Sequence, residues 1–466
     1  MEAYADLTPR DVKHLKGVVG KDHFSTAVED LLCHSYDATK QEALPAAVVR
    51  PARAQEASEI LAYANERRIP VYPMGAASGL TGGAVPVKGG IVLDMTRMNR
   101  IIEIDQENLV AVVEPGVVCA EFQVAVERLG LFYPPDPASS EFSTLGGNVA
   151  ECAGGLRCLK YGVTRDYVLA LEAVLPSGEV INTGSKAMKN VTGYDLTRLL
   201  VGSEGTLCVF TRITLRLIPL PKSIRTVLAY FASFDDAAQA VSAIIAARIV
   251  PRAIEFMDED TLEAVRSYGE FDFPEDARAA LVVEVDGDKA ATEREAEAVA
   301  SICRDKTCTM LSVALSAEDR EELWRARKAV SPALYNLAPK KINEDVCVPR
   351  SRLPDLIKEI QRIMREKSVR IASFGHAGDG NVHVNFLVES DDPEELRRAE
   401  EGVEELFRIV VAYGGSLSGE HGIGTTKAQY LGIEIPPREL ELMRQIKRLF
   451  DPRGILNPEK LFPTSE

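Results

Sequence analysis

Residues 73–83 read Pro73-Met74-Gly75-Ala76-Ala77-Ser78-Gly79-Leu80-Thr81-Gly82-Gly83. Glycines and small side chains at this density let backbone N–H groups converge on a bound anion without interference from Cβ atoms. The stretch lacks the spacing of a nucleoside-triphosphate loop, and it is not the G-x-G-x-x-G that opens a dinucleotide-binding helix. Upstream, Ala47-Val48-Val49 predicts a short strand. Ala57, Ile60, Leu61 and Ala64 follow helical spacing, and Ile69 to Pro73 predicts a second strand. A strand–helix–strand unit thus runs into a loop built for close backbone approach. A tight surface turn would account for one such loop alone.

The loop has company. Leu145-Gly146-Gly147-Asn148-Val149-Ala150 leads to Ala153-Gly154-Gly155, and Lys160-Tyr161-Gly162 follows. Gly193-Tyr194-Asp195 and Val201-Gly202-Ser203-Glu204-Gly205-Thr206 come next. Small-residue loops repeated within one stretch imply backbone wrapped around a large phosphorylated ligand. Short strands are predicted between them at 91–94, 101–104, 109–113, 167–175, 179–182 and 206–218, with a helix at 119–129. Pro219 and Pro221 punctuate the chain and mark a domain boundary. Beyond it, strands at 224–231, 254–257 and 280–285 alternate with helices at 235–247 and 290–302. That alternation predicts a smaller α+β domain with helices on an antiparallel sheet. Residues 1–43 are polar and mostly helical in pattern, and a helix with a proline-bounded end is expected over 440–462.

Composition excludes several classes. The formal net charge is −16, from 54 basic and 70 acidic residues, which argues against non-specific nucleic-acid binding. The 8 cysteines include no C-x-x-C, so zinc-ribbon and iron–sulfur runs are missing and a reducing compartment is expected. No apolar run approaches the ~18 residues of a membrane helix, and Met1 to Thr8 does not read as a signal peptide.

There are 6 histidines, and three of them sit in glycine-rich motifs. Phe374-Gly375-His376-Ala377-Gly378-Asp379-Gly380-Asn381-Val382-His383-Val384-Asn385 reads as two strands about an Asp-Gly turn. Folded there, the hairpin brings His376 near His383, and period 2 puts His383 and Asn385 on one face. Two imidazoles on adjacent strands can share a divalent ion. In Gly419-Glu420-His421-Gly422, Glu420 offers a hard oxygen ligand and His421 a titratable base. Leu323-Trp324-Arg325-Ala326-Arg327-Lys328-Ala329-Val330-Ser331 carries the single tryptophan and arginines suited to gripping a carboxylate. A basic face of a solvated helix is the plainer reading of that segment.

With these motifs in view, residues 46–220 resemble the flavin-binding domain of the vanillyl-alcohol oxidase / p-cresol methylhydroxylase superfamily. PMGAASGLTGG, TLGGNVAECAGG, KYGVTRDYVLALEAVLPSGEV and LLVGSEGTL carry the likeness. Residues 222–460 resemble the C-terminal domain of its FAD-linked 2-hydroxyacid dehydrogenases, which include D-lactate dehydrogenase, the large glycolate oxidase subunit and D-2-hydroxyglutarate dehydrogenase. The resemblance implies an α+β chain with four parts. An N-terminal helical segment (1–43) precedes a two-subdomain p-cresol methylhydroxylase-type FAD-binding domain (44–221). A ferredoxin-like substrate or cap domain carrying the metal (222–439) follows, and a C-terminal segment (440–466) returns to the flavin domain.

The resemblance also implies residue roles. Pro73, Gly75, Ala76, Ala77, Ser78, Gly79 and Gly82 would hold the FAD pyrophosphate. Ser143, Thr144, Gly146, Gly147 and Asn148 would line the flavin and ribityl chain. Gly155, Tyr161, Gly162, Glu204, Gly205 and Asn457 would complete the shell. No histidine stands between His34 and His376, so the flavin is expected to be non-covalent. His376, His383 and Glu420 align with ligands of a divalent metal (zinc, manganese or iron), and His421 with the catalytic base. Asn385 and Arg327 align with substrate contacts, the latter as carboxylate clamp with Ser331 nearby. Lys341, beside Lys340, falls where relatives place another substrate cation.

The implied reaction is oxidation of a D-2-hydroxyacid to the 2-oxoacid, with hydride passing to flavin N5. D-lactate or glycolate is the expected substrate, since no extra basic cluster awaits a second carboxylate. D-2-hydroxyglutarate is the alternative. A metal-dependent hydrolase and a non-catalytic FAD electron carrier are readings from other classes. The hydrolase leaves the glycine loops unexplained, and the carrier needs no substrate clamp. With no iron–sulfur motif of its own, the chain is expected to discharge to a partner protein (an iron–sulfur subunit or an electron-transferring flavoprotein) or a quinone. A cytoplasmic location is expected, with peripheral membrane association through that partner, and a homodimer is among the expected assemblies.

Overall fold

A computed structural model of the chain describes residues 3–269, 271, 273–389 and 392–462. The described residues form two compact units. The first takes the chain up to Gly154, Val163–Leu220 and the described residues from Glu420 on. The second takes Gly155–Gly162 and Pro221–Gly419.

In the first unit, β1 (Phe24–Ser25), β2 (Ala47–Val49), β3 (Val71–Met74) and β4 (Ile91–Asp94) form a sheet ordered β1-β2-β4-β3. Strands β2 and β3 both run parallel to β4, which is why they read as unbroken apolar runs rather than alternating ones. The helix Ala54–Arg67 buries Ala57, Ile60, Leu61 and Ala64, the four positions its spacing singled out. It stops at Arg68, whose backbone turns left-handed. A second, antiparallel sheet uses β5 (Ile101–Asp105), β6 (Val110–Val113), β8 (Val168–Val174), β9 (Val180–Gly184) and β10 (Val209–Arg216), in the order β5-β6-β10-β8-β9. The short strands β7 (Leu131–Phe132) and β11 (Ile218–Pro219) pair with each other.

The tail is built into this unit. The amide of Val71 donates to the Ile455 carbonyl and that of Asn457 to the Val71 carbonyl, each at 2.8 Å. Ile455 and Leu456 are fully buried with β2, β3 and β4. From the helix Pro437–Phe450, Lys447 Nζ donates to the carbonyls of Thr206 (2.7 Å) and Leu456 (2.8 Å).

The second unit holds β12 (Ser223–Phe231), β13 (Ala253–Met257), β14 (Ala279–Gly287), β15 (Met310–Val313), β16 (Lys340–Cys347), β17 (Arg370–His376) and β18 (Asn381–Val388). They make one seven-stranded antiparallel sheet, ordered β15-β12-β14-β13-β17-β18-β16. The β17–β18 turn lies where Asp379-Gly380 predicted it; Gly380 adopts φ +88° and its amide donates to the His376 carbonyl.

Three boundaries differ from the four-part division read from sequence. Residues 1–43 are not a separate segment, because Leu15, Val19 and Phe24 join the core of the first unit. Residues 420–439 pack with the first unit, ahead of the boundary at 440, because the Ile423 and Gly424 amides are tied to Glu204 and the Thr425 amide to the Thr81 carbonyl. Gly155–Gly162 packs with the second unit, where Lys160 Nζ and the Tyr161 hydroxyl both donate to Asp286.

Candidate cofactor and substrate sites

The first unit contains a cleft with about 1330 Å³ free of protein atoms, counting the part open to solvent. Its walls are the loops singled out by sequence. Pro73, Gly75, Ala76, Ala77, Ser78 and Gly79 line it, with Ser143, Thr144, Gly146, Gly147, Asn148, Glu204, Gly205 and Asn457. Glu420 and His421 line the same cleft. Two glycines are required by close approach. A Cβ on Gly75 would stand 2.2 Å from Thr144 Oγ1, and one on Gly146 would stand 2.5 Å from Pro115 Cβ.

The polar groups of the cleft fit a large polar cofactor. The amides of Ala76, Ala77 and Ser78 donate to no acceptor among the described residues. Among the lining residues, Ser143 Oγ, Asn148 Nδ2, Glu151 Oε2 and Asn457 Oδ1 are buried without a hydrogen-bond partner there. Leaving a buried polar atom unsatisfied costs about 1–3 kcal/mol, so a wall carrying this many is built for a ligand. The free amides are donors placed for an anion.

Glu204 is the hinge of the cleft. It adopts φ +50°, and its carboxylate accepts the Ile423 and Gly424 amides at 2.8 and 2.7 Å. Those bonds hold the backbone that carries Glu420 and His421, with Glu420 Oε1 3.9 Å from His421 Nε2. Burial nevertheless pushes the Glu204 carboxyl up. Burial, and then the neighbouring Glu204, push Glu151 well above the ordinary range.

Of the residues expected in the cofactor shell, Gly82 does not line the cleft, and Gly155, Tyr161 and Gly162 belong to the second unit. Gly82 lies behind it, its carbonyl accepting from Lys460 Nζ. Tyr161 gives its hydroxyl to Asp286 Oδ2 at 2.8 Å. The sequence reading missed the wall at Pro137, Ala138 and Ser139, together with Glu151 and Cys208. No glycine motif marks the first three, while Glu151 lies inside TLGGNVAECAGG and could have been taken with it.

In the second unit, the hairpin brings His376 and His383 together as predicted. Their ring centroids are 5.3 Å apart, edge to face, and a nitrogen of one lies within 4.8 Å of a nitrogen of the other. Both are buried. Cross-strand register sets His376 opposite Glu255 on β13, and His383 opposite Asp345 on β16. Glu255 is fully buried. Its Oε1 lies 2.5 Å from His376 Nδ1, and its Oε2 accepts from Arg327 Nε at 3.0 Å and Nη2 at 2.8 Å. The Arg327 guanidinium lies 4.7 Å from the Phe374 ring centroid. Arg327 comes from the helix Ala317–Ala333, one turn before Ser331, whose hydroxyl accepts from Lys341 Nζ at 3.1 Å. Asn385 is fully buried, its Nδ2 directed to the carbonyls of Ala372 and His383. Glu255 was not singled out by sequence. A lone carboxylate inside the apolar run Ala253-Ile254-Glu255-Phe256-Met257 was the available signal, because buried acids need partners.

A paired, hydrogen-bonded donor set of this kind suits a divalent ion. His376 presents one nitrogen to a carboxylate, leaving the other as a ligand, the usual arrangement around a bound metal.

Comparison with known proteins gives concordant results. Residues 45–184 match the family described as FAD binding domain, and residues 220–461 match FAD linked oxidases, C-terminal domain. The chain is 44% identical to glycolate oxidase subunit GlcD of Bacillus subtilis (strain 168), over 98% of this chain and 97% of that one. It is 33% identical to D-lactate dehydrogenase of Anaerostipes hadrus, over 98% of each. Among solved structures, p-cresol methylhydroxylase with substrate bound superposes with a TM-score of 0.77 at 19% identity, covering 97% of this chain and 96% of that one. That last likeness concerns the fold.

Proposed function

The chain belongs to the FAD-linked oxidases, and from that premise we propose that it oxidises a small D-2-hydroxyacid, D-lactate or glycolate, to the 2-oxoacid. The observation that carries the proposal is the cleft of the first unit. It lines one cavity with phosphate-type donor loops and with His421, a base suited to a hydroxyl proton. FAD, when bound, supplies the two-electron acceptor. The chain's own residues bind, orient and deprotonate.

In this reading His421 takes the hydroxyl proton of the substrate. Arg327 grips its carboxylate, with Ser331, Lys341 and Asn385 as further contacts. His376, His383 and Glu420 hold a divalent ion, which when bound supplies a Lewis acid. Support for the histidine pair comes from their geometry on the hairpin. Support for Glu420 comes from chain connectivity. It directly follows Gly419, where a Cβ would meet the side chain of Asn381, and Asn381 lies opposite His376 in the sheet.

The reduced cofactor must be reoxidised. A separate electron-acceptor protein, an iron–sulfur subunit or an electron-transferring flavoprotein, or else a quinone, fits a chain without a C-x-x-C motif. The relative's name as a subunit supports the protein partner. No helix among the described residues is long and apolar enough to cross a membrane.

The test is anaerobic flavin bleaching of the purified protein with D- and L-lactate, glycolate, D-2-hydroxyglutarate and D-malate, before and after chelation. Loss of the ~450 nm absorbance with D-lactate or glycolate, abolished by the chelator and restored by added metal, is expected. A colourless protein that cannot be reconstituted with FAD would sink the assignment.

A further inference from the structure

We propose that Glu255 is a positioning residue that sets both the metal-facing nitrogen of His376 and the grip of Arg327. The proposal deepens the functional reading above and rests on its roles for those two residues. Three elements meet at this one carboxylate: β13 supplies it, β17 supplies His376 opposite it, and the helix Ala317–Ala333 supplies Arg327.

The two oxygens are divided. Oε1 takes His376 Nδ1, and Oε2 takes two nitrogens of Arg327. An ionised carboxylate only accepts, so the imidazole carries its proton on Nδ1. The lone pair is then on Nε2, the nitrogen a metal requires. The same carboxylate occupies the Nε/Nη2 edge of Arg327, and Phe374 lies against the guanidinium. What remains for a substrate is the Nη1/Nη2 end of the fork. A substrate carboxylate is therefore gripped end-on, along the line set by Glu255. The buried charge of Glu255 is matched by the arginine.

The experiment uses full-length, metal-free protein labelled with ¹⁵N-histidine. Only 6 histidines contribute, and His376→Gln assigns the signal. The unmutated protein should show His376 as the Nδ1–H tautomer, and Glu255→Gln should lose that preference. Titration with Mn²⁺ should then show roughly 10–100-fold weaker binding in Glu255→Gln. KM for the hydroxyacid should rise in the same variant. An Nε2–H or doubly protonated His376 in the unmutated protein overturns the proposal, whether or not the variant folds. So does a Glu255→Gln protein with unchanged tautomer and Mn²⁺ affinity. If the unmutated protein shows the Nδ1–H tautomer but takes up no Mn²⁺, the metal reading fails while the Glu255–His376 arrangement stands.

Discussion

Asn457 gives its side-chain amide to the main-chain carbonyl of Glu204 at 2.7 Å, and the same nitrogen reaches the Gly83 carbonyl at 3.1 Å. One side chain near the end of the described chain thereby clamps two of the cofactor loops. Its Oδ1 is left buried without a partner, and Asn457 is part of the cleft wall. Asn457→Ala strands two buried carbonyls, each worth about 1–3 kcal/mol. FAD affinity should fall by at least tenfold, read from the recovery of flavin fluorescence on dilution. Undiminished affinity would show that the loops hold their shape without the clamp.

The flavin should come off intact. Among the cleft-lining residues, Cys208 carries the one thiol and His421 the one imidazole. Burial pushes the Cys208 thiol far up, so the nucleophilic thiolate is scarce. Acid precipitation should leave all yellow colour in the supernatant, with FAD's mass by mass spectrometry. Colour retained on the pellet would contradict this.

Lys460 should impose a pH dependence on stability. Burial lowers its amine to about 8, against the partial opposition of Asp37, Glu204, Glu459 and Glu151. A lysine whose folded value is depressed adds stability at pH above its unfolded value, near 10.5, and that stability is lost as pH falls through about 8. The displacement corresponds to roughly 3 kcal/mol. Urea denaturation from pH 7 to 10.5 should therefore show the wild type gaining on Lys460→Met as pH rises. A constant difference between the two would mean that Lys460 titrates normally.

Arg327 and His421 should separate kinetically. Arg327→Lys removes the planar fork while keeping charge, and should raise KM by roughly 10–100-fold. His421→Gln should lower kcat by about 10²–10⁴-fold while FAD remains bound. Stopped-flow bleaching and steady-state assays distinguish the two. Equal losses in kcat for both variants would remove the division of labour.

The cofactor loops were legible because their requirement is local. Where Gly146 stands against Pro115, only a residue without a side chain fits, and that leaves a mark in sequence. The histidine pair was legible because a turn signal and a two-residue period suffice to bring His376 to His383. What was hidden depends on distant neighbours. Strand β16 reads Lys-Lys-Ile-Asn-Glu-Asp-Val-Cys and was not foreseen as a strand, yet Glu344 and Asp345 are buried in it beside β18. The wall at Pro137 to Ser139 has no motif of its own. The helices Leu353–Lys367 and Pro393–Ala412 do carry an apolar stripe, and Leu356, Ile357, Ile360 and Ile363 are buried along the first.

The first unit is sewn from three separated stretches of chain, and its cleft takes wall residues from the last of them, Glu420, His421 and Asn457. During synthesis these emerge after both earlier stretches of the first unit and after the whole of the second. A nascent chain carrying every glycine loop still lacks one side of the cleft, and Val71 still lacks its partners at Ile455 and Asn457. Completion of the cofactor cleft therefore waits for residues 420–457. A ribosome stalled between residues 210 and 420 would hold a polypeptide that carries the glycine loops and lacks the wall supplied by Glu420, His421 and Asn457.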